Sequence, residues 1–151
     1  SYTGQKPTLF RPCGGEYNDS VQASMKQLGM PLILWDVDTL DWKYRDAASV
    51  KQHILDGAQD GAIVLEHDLY ETTVEGVLAA IDELQQQGYA FVTVSELAKI
   101  KGVTLEPGQV YTGFTDEDLG LTAETDAAAN SESTESTDST ANTQASDSTS
   151  N

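Results

Sequence analysis

The chain has 151 residues and a formal net charge of −17, with 8 Lys and Arg against 25 Asp and Glu. This acidity argues against nucleic acid or anionic lipid as a partner, because binding polyphosphate normally requires clustered basic side chains. The single cysteine, Cys13, excludes an intrachain disulfide and a site built from several thiolates. No stretch approaches the roughly 20 apolar residues of a membrane span, and nothing at Ser1 resembles a signal peptide.

Charge divides the chain into two parts. Residues 1–114 carry 16 acidic and 8 basic residues, whereas residues 115–151 carry 9 acidic residues and no basic one. The second part is rich in Ser and Thr and has no aromatic residue, so it cannot bury enough apolar surface to offset the entropy of ordering. We predict a folded domain over 1–114 and a disordered acidic tail over 115–151, which we interpret as a solvated linker rather than a glycosylated stalk.

The folded part repeats one theme, a short apolar run, a turn and an amphipathic helix, which is typical of βα units and a parallel sheet. The first unit places a strand at residues 8–11 and a helix at 19–28, ended by Gly29. The second places a strand at 31–37 and a helix at 48–58.

The third unit has a strand at 62–67 and a helix whose Thr72 and Glu75 have capping-box spacing. A last strand at 89–94 leads into a short helix, and 102–114 is predicted to be an irregular strap. Three to four such units, with strands apolar on both sides, predict an α/β fold that is about half of a (β/α) barrel. We expect such a sheet to have an open edge that a missing partner would cover.

Three of the predicted strands end in unusual polar residues. The three runs are residues 9–15 (LFRPCGG), 38–42 (DTLDW) and 63–68 (IVLEHD). A buried strand that ends in titratable residues usually ends at a functional site. The carboxyl ends of parallel strands also meet at one edge of the sheet. We therefore expect Arg11, Asp41 and His67 to share one rim of the sheet.

In this order and at these separations, the three runs resemble the last three sequence blocks of the NodB-type polysaccharide deacetylases, carbohydrate esterase family four. The resemblance spans about residues 1–112. It implies a distorted (β/α) barrel that removes N-acetyl groups from N-acetylglucosamine-containing glycans, peptidoglycan or chitin-like, with a divalent metal, usually zinc. It also implies an extracellular or cell-wall associated protein with a polysaccharide substrate.

The family's metal ligands, an Asp and two His of an HxxxH block, lie upstream of these runs, as does its catalytic-base Asp. Neither His53 nor His67 has a second His at ligand spacing, so we expect no metal site in this chain. The absence of an initiator Met fits a piece of a longer protein. The resemblance thus implies a C-terminal fragment of an amide-bond hydrolase that is inactive without the N-terminal half of the same domain.

The resemblance makes His67 the general acid that protonates the departing amine, with Asp41 as its partner. An imidazole titrates near neutrality, and a neighbouring carboxylate would raise its pKa. Glu66 and Asp68 are less suitable partners, because side chains at adjacent strand positions point to opposite faces. Without the resemblance, a strand-end His bonded to a backbone carbonyl would be the commoner outcome.

Arg11 corresponds to the family's Arg that pairs with the catalytic base, so we expect it here without its carboxylate. A surface Arg with its stem packed on Pro12 is the simpler alternative. The family's next loop usually reads Pro-Tyr-Gly or Pro-Gly-Gly and offers a backbone N–H to the acetyl oxygen. Here Cys13, Gly14 and Gly15 keep the Gly14 amide but make the loop less stiff. A nucleophilic Cys13 is disfavoured, since a lone Cys is most often a small buried hydrophobe.

Two apolar residues complete the predicted site. Trp42 resembles the aromatic wall of the family's sugar groove, and Leu65 the residue that receives the acetyl methyl. Their ordinary alternatives are a lid over the core and a core strand residue. The alternative for the whole chain is a non-catalytic glycan-binding or surface-display module with a degenerate deacetylase fold. An unrelated parallel fold, such as a flavodoxin-like one, would leave Arg11 and the Asp41-Trp42 step unexplained.

Overall fold

The computed structural model describes residues 3–121. Its four strands have two residues each: β1 Leu32–Ile33, β2 Val37–Asp38, β3 Val64–Leu65 and β4 Val110–Tyr111. Its α-helices are α1 Asp19–Leu28, α2 Asp41–Tyr44, α3 Ala47–Gly57, α4 Glu71–Gln86 and α5 Val94–Ile100, and a 3₁₀ turn spans Cys13–Gly15. Within residues 3–121, no helix combines the length and the apolar character that crossing a membrane requires.

Every strand pair in the described residues is parallel, as the βα pattern predicts. Strand β1 pairs with β4, β2 pairs with β3, and an isolated parallel bridge joins Phe10 to Leu32. The predicted strands at 31–37 and 62–67 therefore exist as short paired stretches, and the one at 8–11 as a single bridge, because each run pairs only where a neighbour lies beside it. The strap predicted at 102–114 contains β4, so it is partly a strand rather than wholly irregular.

Local signals explain where the helices begin and end. Asn18 caps α1 by accepting a hydrogen bond from the Val21 N–H, and Gly29 ends that helix in the left-handed conformation at φ 76°. Asp46 caps α3 by accepting from the Ser49 N–H at 2.8 Å. The helices predicted at 19–28 and 48–58 are thus present, the second displaced by one residue.

Two hydrophobic clusters hold the described chain together. Helices α3 and α4 pack on each other through one cluster, and the sheet packs on α5 and the C-terminal segment through the other. The first cluster is Val50, Ile54, Ala80 and Leu84, and the second is Ile33, Ile63, Ala98 and Phe114. Burying each of the larger side chains, such as Val50, Ile54 and Leu84, contributes roughly 1.5–3 kcal/mol to folding. The α3–α4 pair is therefore a stable support for the residues at its ends.

Two predictions near the ends of α4 are wrong. Helix α4 begins at Glu71 with Tyr70 as its N-cap, so Thr72 and Glu75 do not form a capping box; the capping box is formed by Thr93 and Glu96 at α5. The strand predicted at 89–94 is absent. A β-strand requires a hydrogen-bonded neighbour, and no described strand lies beside this segment, whose apolar side chains are left half-exposed.

The C-terminal end of the described chain forms a turn. Thr115 is buried, and its N–H and hydroxyl both donate to the Asp118 carboxylate, at 2.9 and 2.7 Å. The domain boundary predicted at residue 115 lies within this turn. Residues 122–151, most of the predicted disordered tail, lie outside the described part of the chain.

Candidate functional site

Strand pairing brings the second and third polar runs together. Asp38 is in register with Leu65, and Thr39 extends the pairing, because its hydroxyl and its N–H both donate to the Leu65 carbonyl oxygen, at 2.8 and 3.4 Å. Asp41 and His67, each two residues beyond these partners, are thereby carried to the same end of the β2–β3 pair. Buried Thr39 is a residue that sequence reasoning missed.

A strained backbone turn places Asp41. Leu40 adopts the left-handed conformation at φ 52°, which costs an L-residue roughly 1–2 kcal/mol. The Asp38 side chain supports the turn by accepting from the Leu40 N–H at 2.9 Å. The chain therefore changes direction immediately before Asp41 and enters the short helix α2, with the Asp41 side chain fully buried.

The Asp41 carboxylate accepts four hydrogen bonds, two at each oxygen. Oδ1 accepts from the Trp42 N–H and from His67 Nδ1, both at 2.8 Å. Oδ2 accepts from the His67 N–H at 2.7 Å and from the Thr73 hydroxyl at 3.0 Å. His67 thus binds Asp41 through both its main chain and its ring, which fixes the distance and the orientation of the imidazole.

Electrostatics favour an ionised Asp41. Burial works to raise the pKa of this carboxyl, but the hydrogen bonds from His67, Thr73 and Trp42 outweigh it and leave the pKa lowered. An ionised carboxylate only accepts hydrogen bonds, so His67 Nδ1 must carry a proton. No described residue bonds Nε2, which is the ring nitrogen left to meet a ligand, and the His67 side chain is 39% exposed.

Two predicted ligand-contacting residues flank this pair. Trp42 follows Asp41 directly and is 51% exposed, so its side chain is open to solvent. Leu65 is buried at the end of β3, and side chains two apart on a strand share a face, so Leu65 lies on the His67 side. Glu66 lines a cavity whose lining includes neither Asp41 nor His67. Desolvation there, and the charge of Asp41, raise the pKa of Glu66.

Arg11 does not contact the Asp41–His67 pair. Its guanidinium donates to the carbonyl oxygens of Ile33 and Leu34, at 3.4 and 3.3 Å, and lies 5.8 Å from the ring centre of Trp35. Within residues 3–121 it forms no ion pair, and partial desolvation lowers its pKa. Arg11 instead lines the same cavity as Glu66. The first polar run therefore lies on this cavity and not against the Asp41–His67 pair.

The loop after Arg11 is a tight turn. Gly14 and Gly15 have φ of 63° and 74°, and the Gly15 N–H donates to the Pro12 carbonyl oxygen at 3.1 Å. A side chain at Gly15 would lie 2.9 Å from the Trp35 ring, so only glycine fits there. The Gly14 N–H has no acceptor in the described chain and is available to a ligand. Cys13 is exposed, so the expectation of a buried Cys13 is wrong.

Metal ligands do not come together in residues 3–121. No three His, Cys, Asp or Glu side chains in this part of the chain form a group that could hold a metal ion. The carboxylate closest to an imidazole, Asp41, has all four of its acceptor positions occupied by protein donors. The described residues therefore do not fit a metal centre of their own.

No family model matches the chain. Over 114 residues, 76% of this chain, it is 45% identical to the peptidoglycan-N-acetylglucosamine deacetylase PgdA of Listeria monocytogenes. The structure of the T48 deacetylase with substrate is 36% identical, with a TM-score of 0.65 over 72% of this chain. A family 4 acetyl xylan esterase from Clostridium thermocellum, in complex with a cobalt ion, is 28% identical, with a TM-score of 0.67 over 74% of this chain. The chain spans 23% of the Listeria protein and 52% and 56% of the two structures.

Proposed function

Because the chain belongs to the carbohydrate esterase family four polysaccharide deacetylases, we propose that it forms the C-terminal part of a domain that removes N-acetyl groups from N-acetylglucosamine-containing glycans. Peptidoglycan is the substrate we favour, since the Listeria relative is a peptidoglycan deacetylase; a chitin-like glycan is the second choice. An extracellular or cell-wall associated location follows from that substrate and is part of the proposal.

The Asp41–His67 pair is the observation that carries this proposal. A buried carboxylate that fixes a half-exposed imidazole through Nδ1 leaves Nε2 to exchange a proton with a ligand. In amide hydrolysis the departing amine must be protonated, and we assign this role of general acid to His67. Trp42 would flank the sugar ring, Leu65 would meet the acetyl methyl, and the Gly14 N–H would donate to the acetyl oxygen.

The proposal also assigns a partner to a cavity of about 740 Å³ beside β3. Among the described residues β3 pairs with a strand on one side only, and Arg11 and Glu66 are among the residues that line the cavity. Its walls are mostly apolar and include Ile81, Leu84, Phe91, Val92 and Ile100. Such an apolar trough along an open strand edge suits a further strand rather than a polar ligand. We infer that it holds the N-terminal half of the same domain, which the relatives have and this chain does not span.

A divalent metal, zinc or another, belongs to the proposal for the intact parent alone. The acetyl xylan esterase relative was solved with a cobalt ion, and the described residues gather no ligand group. The metal and the catalytic base would therefore come from the N-terminal half, with Arg11 facing the base from across the cavity. The chain by itself is predicted to be inactive.

Acetate release tests the proposal in two arms. This chain alone, supplied with zinc, should release no acetate from N-acetylglucosamine oligomers or peptidoglycan. A chimera that joins the upstream half of the Listeria deacetylase domain to the start of this chain should restore acetate release. Turnover by the chain alone would overturn the assignment of metal and base to the other half. A folded chimera that binds zinc but releases no acetate would overturn the deacetylase function.

A further inference from the structure

A threonine outside the three polar runs completes the shell around Asp41. Thr73 lies in the first turn of α4, 32 residues along the chain from Asp41, and is 2% exposed. Its hydroxyl donates to Asp41 Oδ2 at 3.0 Å. Of the four donors to this carboxylate, two are backbone N–H groups and one is the His67 ring, so Thr73 supplies the remaining side-chain donor.

The direction of this hydrogen bond is informative. A buried threonine in a helix usually bonds the carbonyl three or four residues earlier on the same helix. In α4 the Thr73 N–H already donates to the Tyr70 carbonyl oxygen at 3.1 Å, and the hydroxyl turns to Asp41. The hydroxyl is therefore committed to the carboxylate rather than to its own helix.

Close packing of α4 on α3 fixes where this hydroxyl lies. Gly76, three residues after Thr73, lies so close to α3 that a side chain there would come within 2.6 Å of the Ala47 carbonyl oxygen and 2.8 Å of Val50 Cβ. Val50 is fully buried in the α3–α4 cluster. The first turn of α4 is thus held at a set distance from α3, and with it the donor to Asp41.

We propose that Thr73 is a positioning residue for the deacetylation reaction: its hydroxyl holds the Asp41 carboxylate in the orientation that binds His67 Nδ1. This inference rests on the proposed function for its catalytic consequence only. Without the hydroxyl, three of the four donors remain, but Oδ2 keeps only the His67 N–H, and the carboxylate is held less firmly about its last bond. The imidazole is then held less firmly in the orientation that proton transfer requires.

Three variants separate positioning from packing. Thr73→Val keeps the shape and removes the hydroxyl, Thr73→Ser keeps the hydroxyl and removes the methyl, and Thr72→Val is the control one position earlier on the helix. Carboxyl ¹³C NMR of the 151-residue chain follows the titration of Asp41. Since the Thr73 hydrogen bond lowers the Asp41 pKa, we expect Thr73→Val to raise it, and Thr73→Ser and Thr72→Val to leave it where it is.

The chimera gives the catalytic arm. We expect Thr73→Val to reduce kcat for acetate release about 10-fold with KM little changed, because one charge-assisted hydrogen bond is lost. Thr73→Ser should recover most of kcat. Equal Asp41 titration in the native chain and Thr73→Val would overturn the inference, as would a Ser variant as slow as Val. Failure of the chimera with native Thr73 refutes the proposed function instead, since the NMR arm needs no activity.

Discussion

Replacing Asp41 by Asn tests the hydrogen-bonded shell around the buried carboxylate. Asn has the same shape but presents one oxygen and one NH₂ group. If the NH₂ replaces Oδ1 it faces the Trp42 N–H, and if it replaces Oδ2 it faces the His67 N–H. The Thr73 hydroxyl and the imidazole can reverse their roles, but a backbone N–H cannot. In either orientation one backbone donor that faces the buried residue 41 is left without an acceptor.

The expected cost follows from these contacts. An unsatisfied buried donor costs about 1–3 kcal/mol, and hydrogen bonds to a charged group contribute about 1.5–3 kcal/mol each. Part of this loss is offset, because the neutral Asn does not carry the desolvation cost of a buried charge. We therefore expect Asp41→Asn to lower the free energy of unfolding by roughly 2–4 kcal/mol near neutral pH. Asp38→Asn, which keeps its single acceptor for the Leu40 N–H, is the control and should change little.

The pH dependence has a definite sign. The folded-state pKa of Asp41 is lowered, so the folded protein binds this proton less readily than the unfolded chain does. Its contribution to stability is complete above the ordinary aspartate pKa and is lost as pH falls through the lower folded value. Urea unfolding of the native chain and Asp41→Asn at several pH values should therefore show a difference that shrinks on acidification. If the native chain and Asp41→Asn had equal free energies of unfolding near neutral pH, or differed by an amount independent of pH, the reasoning would be refuted.

Two further variants test the elements that support the site. Gly76→Ala should lower the free energy of unfolding by roughly 1–2 kcal/mol, because overpacking against Ala47 and Val50 exceeds the gain in helix propensity; stabilisation in a urea titration would contradict the close packing. Thr93→Ala removes the capping box of α5 and should cost about 1 kcal/mol. Amide hydrogen exchange should become faster in the first turn of α5, and unchanged protection there would contradict the assignment.

The sequence predicted helices better than strands, for a physical reason. The helix at 19–28 is decided locally, by the Asn18 cap, the apolar period and Gly29. A strand depends on a neighbouring strand elsewhere in the chain. The apolar run at 89–94 therefore looked like a strand in the sequence, but no described strand lies beside it. The spacing of Thr72 and Glu75 also suggested a capping box, but the helix begins at Glu71, two residues too early for Thr72 to be its N-cap.

The candidate site was only partly readable from the sequence. Asp41 and His67 are 26 residues apart, and their pairing was proposed from the family resemblance rather than from any local pattern. Thr73 and Gly76 carried no signal, because a threonine and a glycine in a helix have many ordinary explanations. Their roles depend on how α4 packs against α3, and the spacing of residues along the sequence does not predict this packing.

The most direct test compares, within the chimera, the two histidines that this chain contributes, His53 and His67. His53 also bonds through Nδ1, but to the Ser49 carbonyl oxygen, and it stacks on Tyr44. We predict that His67→Gln lowers kcat for acetate release about 10²- to 10⁴-fold, the usual contribution of a general acid, while His53→Gln retains native turnover. Turnover by His67→Gln equal to that of the native chimera would contradict the central claim that the Asp41–His67 pair serves deacetylation.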